Sequence, residues 1–289
     1  MGYSSRYHAA SLTAVFIALA IGILVGIGLA DDVVSPASEE LEASLRADLD
    51  EARADGDDLR GLLDREREFG SEIYPSTVAD QLVGSSVALI RVGEVSDATI
   101  EDIEEALAPA GASIDATATL AVPPDLESLA DEAGPRFPGV ASGGEPLVDL
   151  GTVAGAGIAG GNPLLKRVRS TLFSRFNGEL EGIDRVVLVG DLPEDLEPAD
   201  RENAEALLGG LLEGIQRTSL GAIAAERTST DPTTLTPYMA AGISTADHVD
   251  LVAGRIALVR ALLGDHGNYG VKEGADRFLP ELIQPATLP

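Results

Sequence analysis

RVVLVGD, residues 185–191, is a run of branched apolar side chains that closes on a glycine and an aspartate. A continuous apolar run of this length is typical of a β-strand that is buried on both faces of a parallel sheet. Similar runs occur at 87–92 and 221–226, and the stretches typical of helices alternate with them, at 99–108, 200–217 and 250–263. The alternation predicts an α/β domain whose mostly parallel sheet is covered by helices.

The predicted α/β domain spans residues 73–280. Residues 112–122 are rich in β-branched side chains and predict a further strand, whereas Leu164–Phe176 is predicted to be a helix. A segment rich in Pro, Gly and acidic residues, 123–146, is interpreted as a long connection between two halves of the domain. Residues 281–289 are predicted to form a loosely ordered tail.

An uncharged segment, residues 9–30, precedes this domain. As a helix it would be roughly 33 Å long against roughly 30 Å of bilayer hydrocarbon, so we predict a transmembrane helix. Arg6 lies before it and acidic residues follow it, which predicts that residues 1–8 are cytoplasmic and that the bulk of the chain is extracytoplasmic. The alternative is a cleaved export signal, for which Gly28-Leu-Ala30 offers a suitable pattern.

Gly22 and Gly26 form a small-xxx-small pair within this predicted span. Such a pair lets a second helix pack closely, although glycine is also simply frequent in membrane helices. Because one span is too little for a channel, any path through the membrane would require this face to meet another helix.

Residues 31–72 are predicted to form a charged helical stalk, with leucines at mostly helical spacing among many acidic side chains. With Leu45 and Leu59 at heptad a positions, Asp48 and Asp55 fall at d positions, which makes a poor coiled-coil seam. The segment is therefore interpreted as a weak coiled coil or as a solvated helix that lifts the domain off the membrane.

The composition narrows the possible partners of the chain. Its 48 acidic and 20 basic residues leave a net charge of −28, so no nucleic acid is expected to bind, because phosphate binding needs a basic surface. The sequence has no cysteine, which excludes disulfides and thiolate metal sites. The expected partners are the membrane, through the N-terminal helix, and either further copies of the chain or an envelope protein.

Three motifs could carry chemistry, and each has a more ordinary interpretation. Gly155-Ala-Gly157-Ile-Ala-Gly160 matches the dinucleotide-binding pattern GxGxxG, but Asn-Pro follows it and a tight, closely packed loop is favoured. Asp191 closes a strand at the end where α/β sheets bind ligands, or else caps the next turn. Ser244, Asp247 and His248 could form a hydrolytic triad, or cap a helix. No catalytic or cofactor-binding residue is assigned, and the chain is predicted not to be an enzyme.

Both ends of the chain resemble a known family. The opening pattern has Arg6, His8, Ser11 and Phe16 at its key positions, and the closing pattern is GRIALVRALL followed by GNYG, residues 254–270. These patterns resemble the actinobacterial copper transporter family named for mycobacterial copper transport protein B (MctB), which also includes septation-associated membrane proteins that work with a partner. The resemblance implies an envelope protein linked to copper export or homeostasis.

The ligand preferences of copper conflict with this implication. Copper(I) prefers Cys and Met, and copper(II) prefers imidazole, yet the only methionines are Met1 and Met239. His248 and His266 flank a predicted helix, which would hold them about 20 Å apart. These two histidines and Asp191 are the weak candidates for a metal site, and copper is implied by the resemblance alone.

Two main hypotheses of function follow. The first is a copper-homeostasis envelope protein that acts as an oligomer. The second is a membrane-anchored scaffold, which binds a partner in envelope or septum assembly without copper chemistry. A third, an extracytoplasmic enzyme acting on a nucleotide or sugar, depends only on the glycine match.

Overall fold

A computed structural model describes the backbone of residues 5–180 and 182–281, with side chains there except at residues 5–7, 9 and 27–40. The chain divides into two compact units, Met1–Glu66 and Arg67–Pro289. Helix α1, Ser5–Val78, forms the first unit and supplies the start of the second. The last turns of α1 pack in the core of the second unit, where Tyr74 is 3% exposed.

The predicted helical stalk, 31–72, lies within α1. Among the side chains that the structure describes, no helix combines the length and the apolar content needed to cross a bilayer. The predicted span at 9–30 includes residues 27–30, whose side chains lie outside the described set, and it stays a prediction. The side chain of Arg6 and the tail from residue 282 also lie outside that set, whereas His8, Ser11 and Phe16 are exposed on α1.

The second unit alternates strands and helices in the order that the sequence predicts for an α/β domain. In chain order, the elements after α1 are β1 Ser86–Val92, α2 Asp97–Ala110, β2 Ser113–Leu120, α3 Leu126–Ala133, α4 Glu145–Gly160, α5 Pro163–Leu172, β3 Phe173–Gly178, β4 Arg185–Gly190, α6 Pro198–Gln216, β5 Gly221–Ala225, α7 Thr236–Ala240, β6 Ser244–Ala246, α8 Val252–Leu262 and β7 Asn268–Tyr269.

The seven strands form one sheet in the order β3-β2-β1-β4-β5-β6-β7. All neighbours are parallel except β2 and β3, so the predicted mostly parallel sheet is confirmed. From β1 the chain moves outward through β2, and from β4 it moves outward the other way. The junction of β1 and β4 is therefore the topological switch point, where α/β sheets usually bind ligands.

The quoted run that begins at Arg185 forms the central strand β4. Val186 and Leu188 enter the core beneath α3–α6, while Val187 and Val189 enter the core beneath α1, α2 and α8. All four side chains are fully buried, since a strand covered on both faces has no solvent side. This double burial explains why the run is continuously apolar.

Three predicted elements are corrected by the structure. The predicted helix at Leu164–Phe176 ends at Leu172, and β3 follows it as an edge strand because Phe173 pairs with Leu120 of β2. The predicted connection at 123–146 contains α3 and a short 3₁₀ turn, and it packs on the core through Leu129 and Val140. The segment from Ser244 is the buried strand β6 rather than a helix cap.

Candidate functional site

A buried polar cluster lies at the carboxyl ends of β5, β6 and β7. Glu226 follows β5, Asp247 and His248 follow β6, and Lys272 follows β7. Glu226, Asp247 and His248 are at most 3% exposed, although the carboxyl ends of the strands are where α/β sheets commonly bind ligands. The cluster is therefore the strongest candidate site in the part of the chain that the structure describes.

Glu226 is held by neutral donors and by one cation. Its carboxylate accepts hydrogen bonds from Thr233 Oγ1 at 2.7 Å and from the Thr234 amide and hydroxyl at 2.7 and 2.8 Å. Lys272 Nζ forms an ion pair with it at 2.8 Å and donates to two backbone carbonyls, Arg227 O and Thr230 O. A buried carboxylate is tolerated only when it is compensated in this way.

Asp247 binds the segment that follows β7. Its carboxylate accepts from the Val271 amide at 2.9 Å, from the Lys272 amide at 2.6 Å and from His248 Nδ1 at 2.9 Å. Gly270 has a φ of +149°, and a Cβ there would collide with the Asp247 carboxylate. The glycine is therefore required for the C-terminal segment to approach this carboxylate.

His248 is fully buried, and its ring stacks on Phe278 with centroids 5.2 Å apart. Burial lowers the pKa of the imidazole, an effect that the carboxylates of Asp247 and Asp250 oppose. Its Nε2 is buried and has no hydrogen-bond partner among the described residues. The ring is thus a buried packing group, with Nδ1 already committed to Asp247.

The predicted triad of Ser244, Asp247 and His248 does not assemble. Ser244 Oγ lies at the start of β6, where it accepts from the Gly267 amide at 3.4 Å. It lies at the opposite end of β6 from Asp247 and His248, whose contacts are with residues after β7 and with each other. The Asp247–His248 pair therefore lacks the nucleophile that acyl transfer needs.

The described donors do not fit a copper site. His266 is exposed before β7, at the opposite end of the strands from His248. No group of three His, Cys, Asp or Glu side chains suited to a metal ion occurs among the described residues. Copper(I) prefers soft sulfur ligands, and the sequence has no cysteine. The one methionine among the described residues, Met239, lies in α7 with its sulfur packed against Gly274.

Asp191 follows β4 and lines a cavity of about 570 Å³ between α6 and α7. Its carboxylate accepts from the Leu192 amide at 2.7 Å, which caps the turn in the way that the alternative sequence interpretation expected. Burial raises the pKa of this carboxyl, against the effects of the Leu192 amide and Arg201. Beside it, Tyr238 donates its hydroxyl to Gly190 O at 2.7 Å. Asp191 and the two histidines are not brought together.

Two glycines allow the backbones at the ends of β1 and β4 to approach closely at the switch point. A Cβ at Gly93 would fall closer than 3.0 Å to Asp191 O, and one at Gly190 would fall equally close to Val92 O. Gly190 and Val92 are paired at the ends of β4 and β1, so this close backbone approach continues the strand pairing into Gly93 and Asp191. The N-terminus of α2 beside them is capped by its own Ser96 side chain, which accepts from the Thr99 amide.

The GxGxxG match lies inside helix α4, not in a loop. Gly151 and Gly155 on α4 face Gly210 and Gly214 on α6, and a Cβ at any of the four would fall closer than 3.0 Å to the backbone of the other helix. The predicted close packing is confirmed, but it occurs between two helices, α4 and α6, and not in a loop. These glycines have no phosphate-binding geometry.

Glu226 and Lys272 were missed by the sequence analysis. A signal was present for each: Glu226 ends a predicted strand, as Asp191 does, and Lys272 is one of two lysines in the chain, with Lys166. Neither signal identifies the other residue as its partner, because 46 positions separate them.

The chain matches the family model described as copper transport outer membrane protein, MctB, over residues 3–135 and 161–280. It is 29% identical over 316 aligned positions to the copper transporter MctB of Mycobacterium tuberculosis strain H37Rv, an alignment that covers 94% of this chain and 97% of that protein. The Mycobacterium leprae protein of the same name is 26% identical, with the same coverage. The chain therefore belongs to the MctB family of copper transport proteins.

Proposed function

We propose that this protein is a membrane-anchored envelope protein that serves copper export or homeostasis. The family match over nearly the whole chain supports the proposal, together with relatives whose printed name is copper transporter MctB. The predicted helix at 9–30 would anchor it, with residues 1–8 in the cytoplasm and the α/β unit outside. The family description concerns transport, which agrees with a role other than catalysis.

Copper is the cargo in this proposal, and the described residues of one chain offer it no group of three His, Cys, Asp or Glu ligands. The carboxylates of the buried cluster are already used: Glu226 is paired with Lys272, and Asp247 holds two amides and His248. Carboxylates also suit hard ions better than copper. Movement of copper would then depend on an assembly of several chains or on a partner.

The second candidate is a scaffold for a partner in envelope or septum assembly. The observation that favours it is that the described side chains contain no group of three His, Cys, Asp or Glu suited to a metal ion. A rigid unit with satisfied buried charges and a long N-terminal helix is suited to holding another protein. This candidate differs from the first because it predicts no effect on copper.

Deletion of the gene tests the first candidate, with cell-associated copper and growth in copper as the measurements. We expect the deletion strain to accumulate copper, and a plasmid copy of the wild-type gene to reverse this. A His248→Gln/His266→Gln copy, checked for equal protein level, should reverse it as well, because neither histidine ligates the ion. Unchanged copper in the deletion strain would refute the copper role. If the wild-type copy reverses the accumulation and the double variant does not, the expectation that neither histidine ligates copper would be refuted.

A further inference from the structure

Helix α1 exposes a regular apolar stripe between residues 45 and 63. Leu45, Leu49, Leu59 and Leu63 are each at least half exposed, and Ala52 and Gly56 continue the stripe between them. The spacing alternates between four and three residues, an average of 3.5, which is the period of a left-handed coiled coil. A solvated helix gains nothing from this arrangement, so the stripe indicates a partner helix.

The stripe defines a heptad register. Leu49, Gly56 and Leu63 occupy a positions, and Leu45, Ala52 and Leu59 occupy d positions. The alternative register, with Leu45 at a, places two aspartates at d positions. In the present register those aspartates leave the seam, and every a and d position from 45 to 63 is apolar or glycine.

The charges beside the seam are sorted by sign. The e positions hold Arg46, Arg53 and Arg60, and two g positions hold Asp48 and Asp55. In a parallel pair, a g residue faces the e residue of the next heptad on the other helix. Asp48 would therefore face Arg53 of a second copy, and Asp55 would face its Arg60.

An antiparallel pair would place e positions against e positions and bring arginines together, which is unfavourable. The charges of the stripe thus complement a parallel, in-register copy of the same sequence. Within one helix, Arg53 pairs with Asp50 at 3.4 Å and Arg60 with Asp57 at 2.6 Å. These exposed pairs are weak, so they can be exchanged for pairs between helices at little cost.

We propose that residues 45–63 of α1 form a parallel, in-register coiled coil with a second copy of this chain. The seam is short, and Ala52 and Gly56 bury little surface at its centre, so its intrinsic affinity is modest. Two copies anchored in one membrane would meet at a high effective concentration, which compensates for this. The pairing is independent of the proposed copper role, since its argument uses only the helix and its charges.

Single cysteines test the geometry, because the natural chain has none. We would place Leu49→Cys and Ala52→Cys, at a and d, in the full-length protein in its membrane, and oxidise mildly. Matched controls are Asp50→Cys and Ala54→Cys, one helix turn or less away but outside the seam. Disulfides need Cβ atoms roughly 4 Å apart, so we expect at least about tenfold more cross-linked dimer at the seam positions than at the controls.

Three results would overturn the proposal. Equal cross-linking at all four positions, or none at the seam, would mean that the stripe does not face a second copy. A disulfide between a Leu45→Cys copy and a Leu63→Cys copy would mean an antiparallel pair. Capture of a different protein at the seam by a bifunctional thiol cross-linker, in place of the dimer, would assign the stripe to another partner.

Charge reversal tests the register by a second route. Arg53→Asp/Arg60→Asp replaces four attractive contacts per dimer by repulsive ones, which should weaken dimerisation of the full chain in detergent on the order of 100-fold. Adding Asp48→Arg/Asp55→Arg to the same chain should restore it. Arg65→Asp, at a c position, should have no effect. Sedimentation equilibrium measures the dissociation constants, and far-UV circular dichroism checks that the helix persists. Failure of the second pair to rescue would refute the proposed contacts.

Discussion

Substitution of Gly210 in α6 should separate two packed helices, whereas the same substitution at its neighbour Gly209 should not. A Cβ at Gly210 would lie closer than 3.0 Å to Val148 O and 3.0 Å from Val148 C and Cα, against 3.4 Å or more for ordinary contact. A Cβ at Gly209 would have nothing within 4 Å. Both glycines lie in the same turn of the same helix, so each is the control for the other.

The magnitude follows from two opposed effects. Alanine in place of a helical glycine stabilises the helix by about 1 kcal/mol, and this is the whole effect expected for Gly209→Ala. At Gly210 the new methyl meets backbone atoms, which cannot rotate away, so α4 and α6 must move apart. Overpacking of this kind costs about 3 kcal/mol, which leaves Gly210→Ala destabilised by about 2 kcal/mol and the two variants about 3 kcal/mol apart.

Urea unfolding of the full chain measures this difference. The chain has no tryptophan, so near-UV circular dichroism reports on tyrosines, of which Tyr74, Tyr238 and Tyr269 are buried in the α/β unit. A difference of about 3 kcal/mol should separate the unfolding midpoints by on the order of 1 M urea. A Gly210→Ala variant as stable as Gly209→Ala would refute the claim that backbone contact determines the spacing of these helices.

Three further predictions concern the α/β unit. Lys272→Met should lower the free energy of unfolding by about 3–5 kcal/mol, because it leaves the Glu226 carboxylate buried without its cation. The double variant Lys272→Met/Glu226→Gln should be destabilised less than Lys272→Met alone, and urea unfolding measures both. Because burial lowers the pKa of His248, the unfolded chain binds more protons than the folded chain below about pH 6.5. The free energy of unfolding should therefore fall as pH falls through that value. His248→Gln should flatten the dependence of the urea midpoint on pH. Ser96→Ala should cost about 1 kcal/mol through loss of the cap on α2, whereas Ser96→Asp should retain most of it; a midpoint for the alanine variant equal to wild type would contradict the cap.

The central strands could be predicted because they are buried on both faces. The runs that became β1, β4 and β5 each contain four consecutive apolar residues, a pattern that a solvated strand or a loop does not need. Helices α2, α6 and α8 were also predicted, as the stretches typical of helices at 99–108, 200–217 and 250–263. Strands β3 and β6 were not, since FSRFNG resembles the end of a helix and three residues of β6 are too few to show a period.

The candidate site was visible only in part. Asp247 and His248 stood out as neighbours in sequence, and the sequence suggested a cap or a triad for them. Their contacts with Val271 and Lys272 depend on β7 lying beside β6, which no local pattern indicates. The separation of two of the weak metal candidates, His248 and His266, was predicted from the helix between them, and the sheet places them at opposite ends of its strands.

By itself, the sequence determined the family and the α/β class, since each depends on local order: a motif or a buried run. Only the tertiary structure decided what the glycines do. Gly155 and its neighbours suit a phosphate loop or a packed helix equally well, and Gly93 and Gly190 suit any turn. Their role depends on the backbone that approaches them from a distant part of the chain. A glycine has no side chain, so nothing in the local sequence indicates what it contacts.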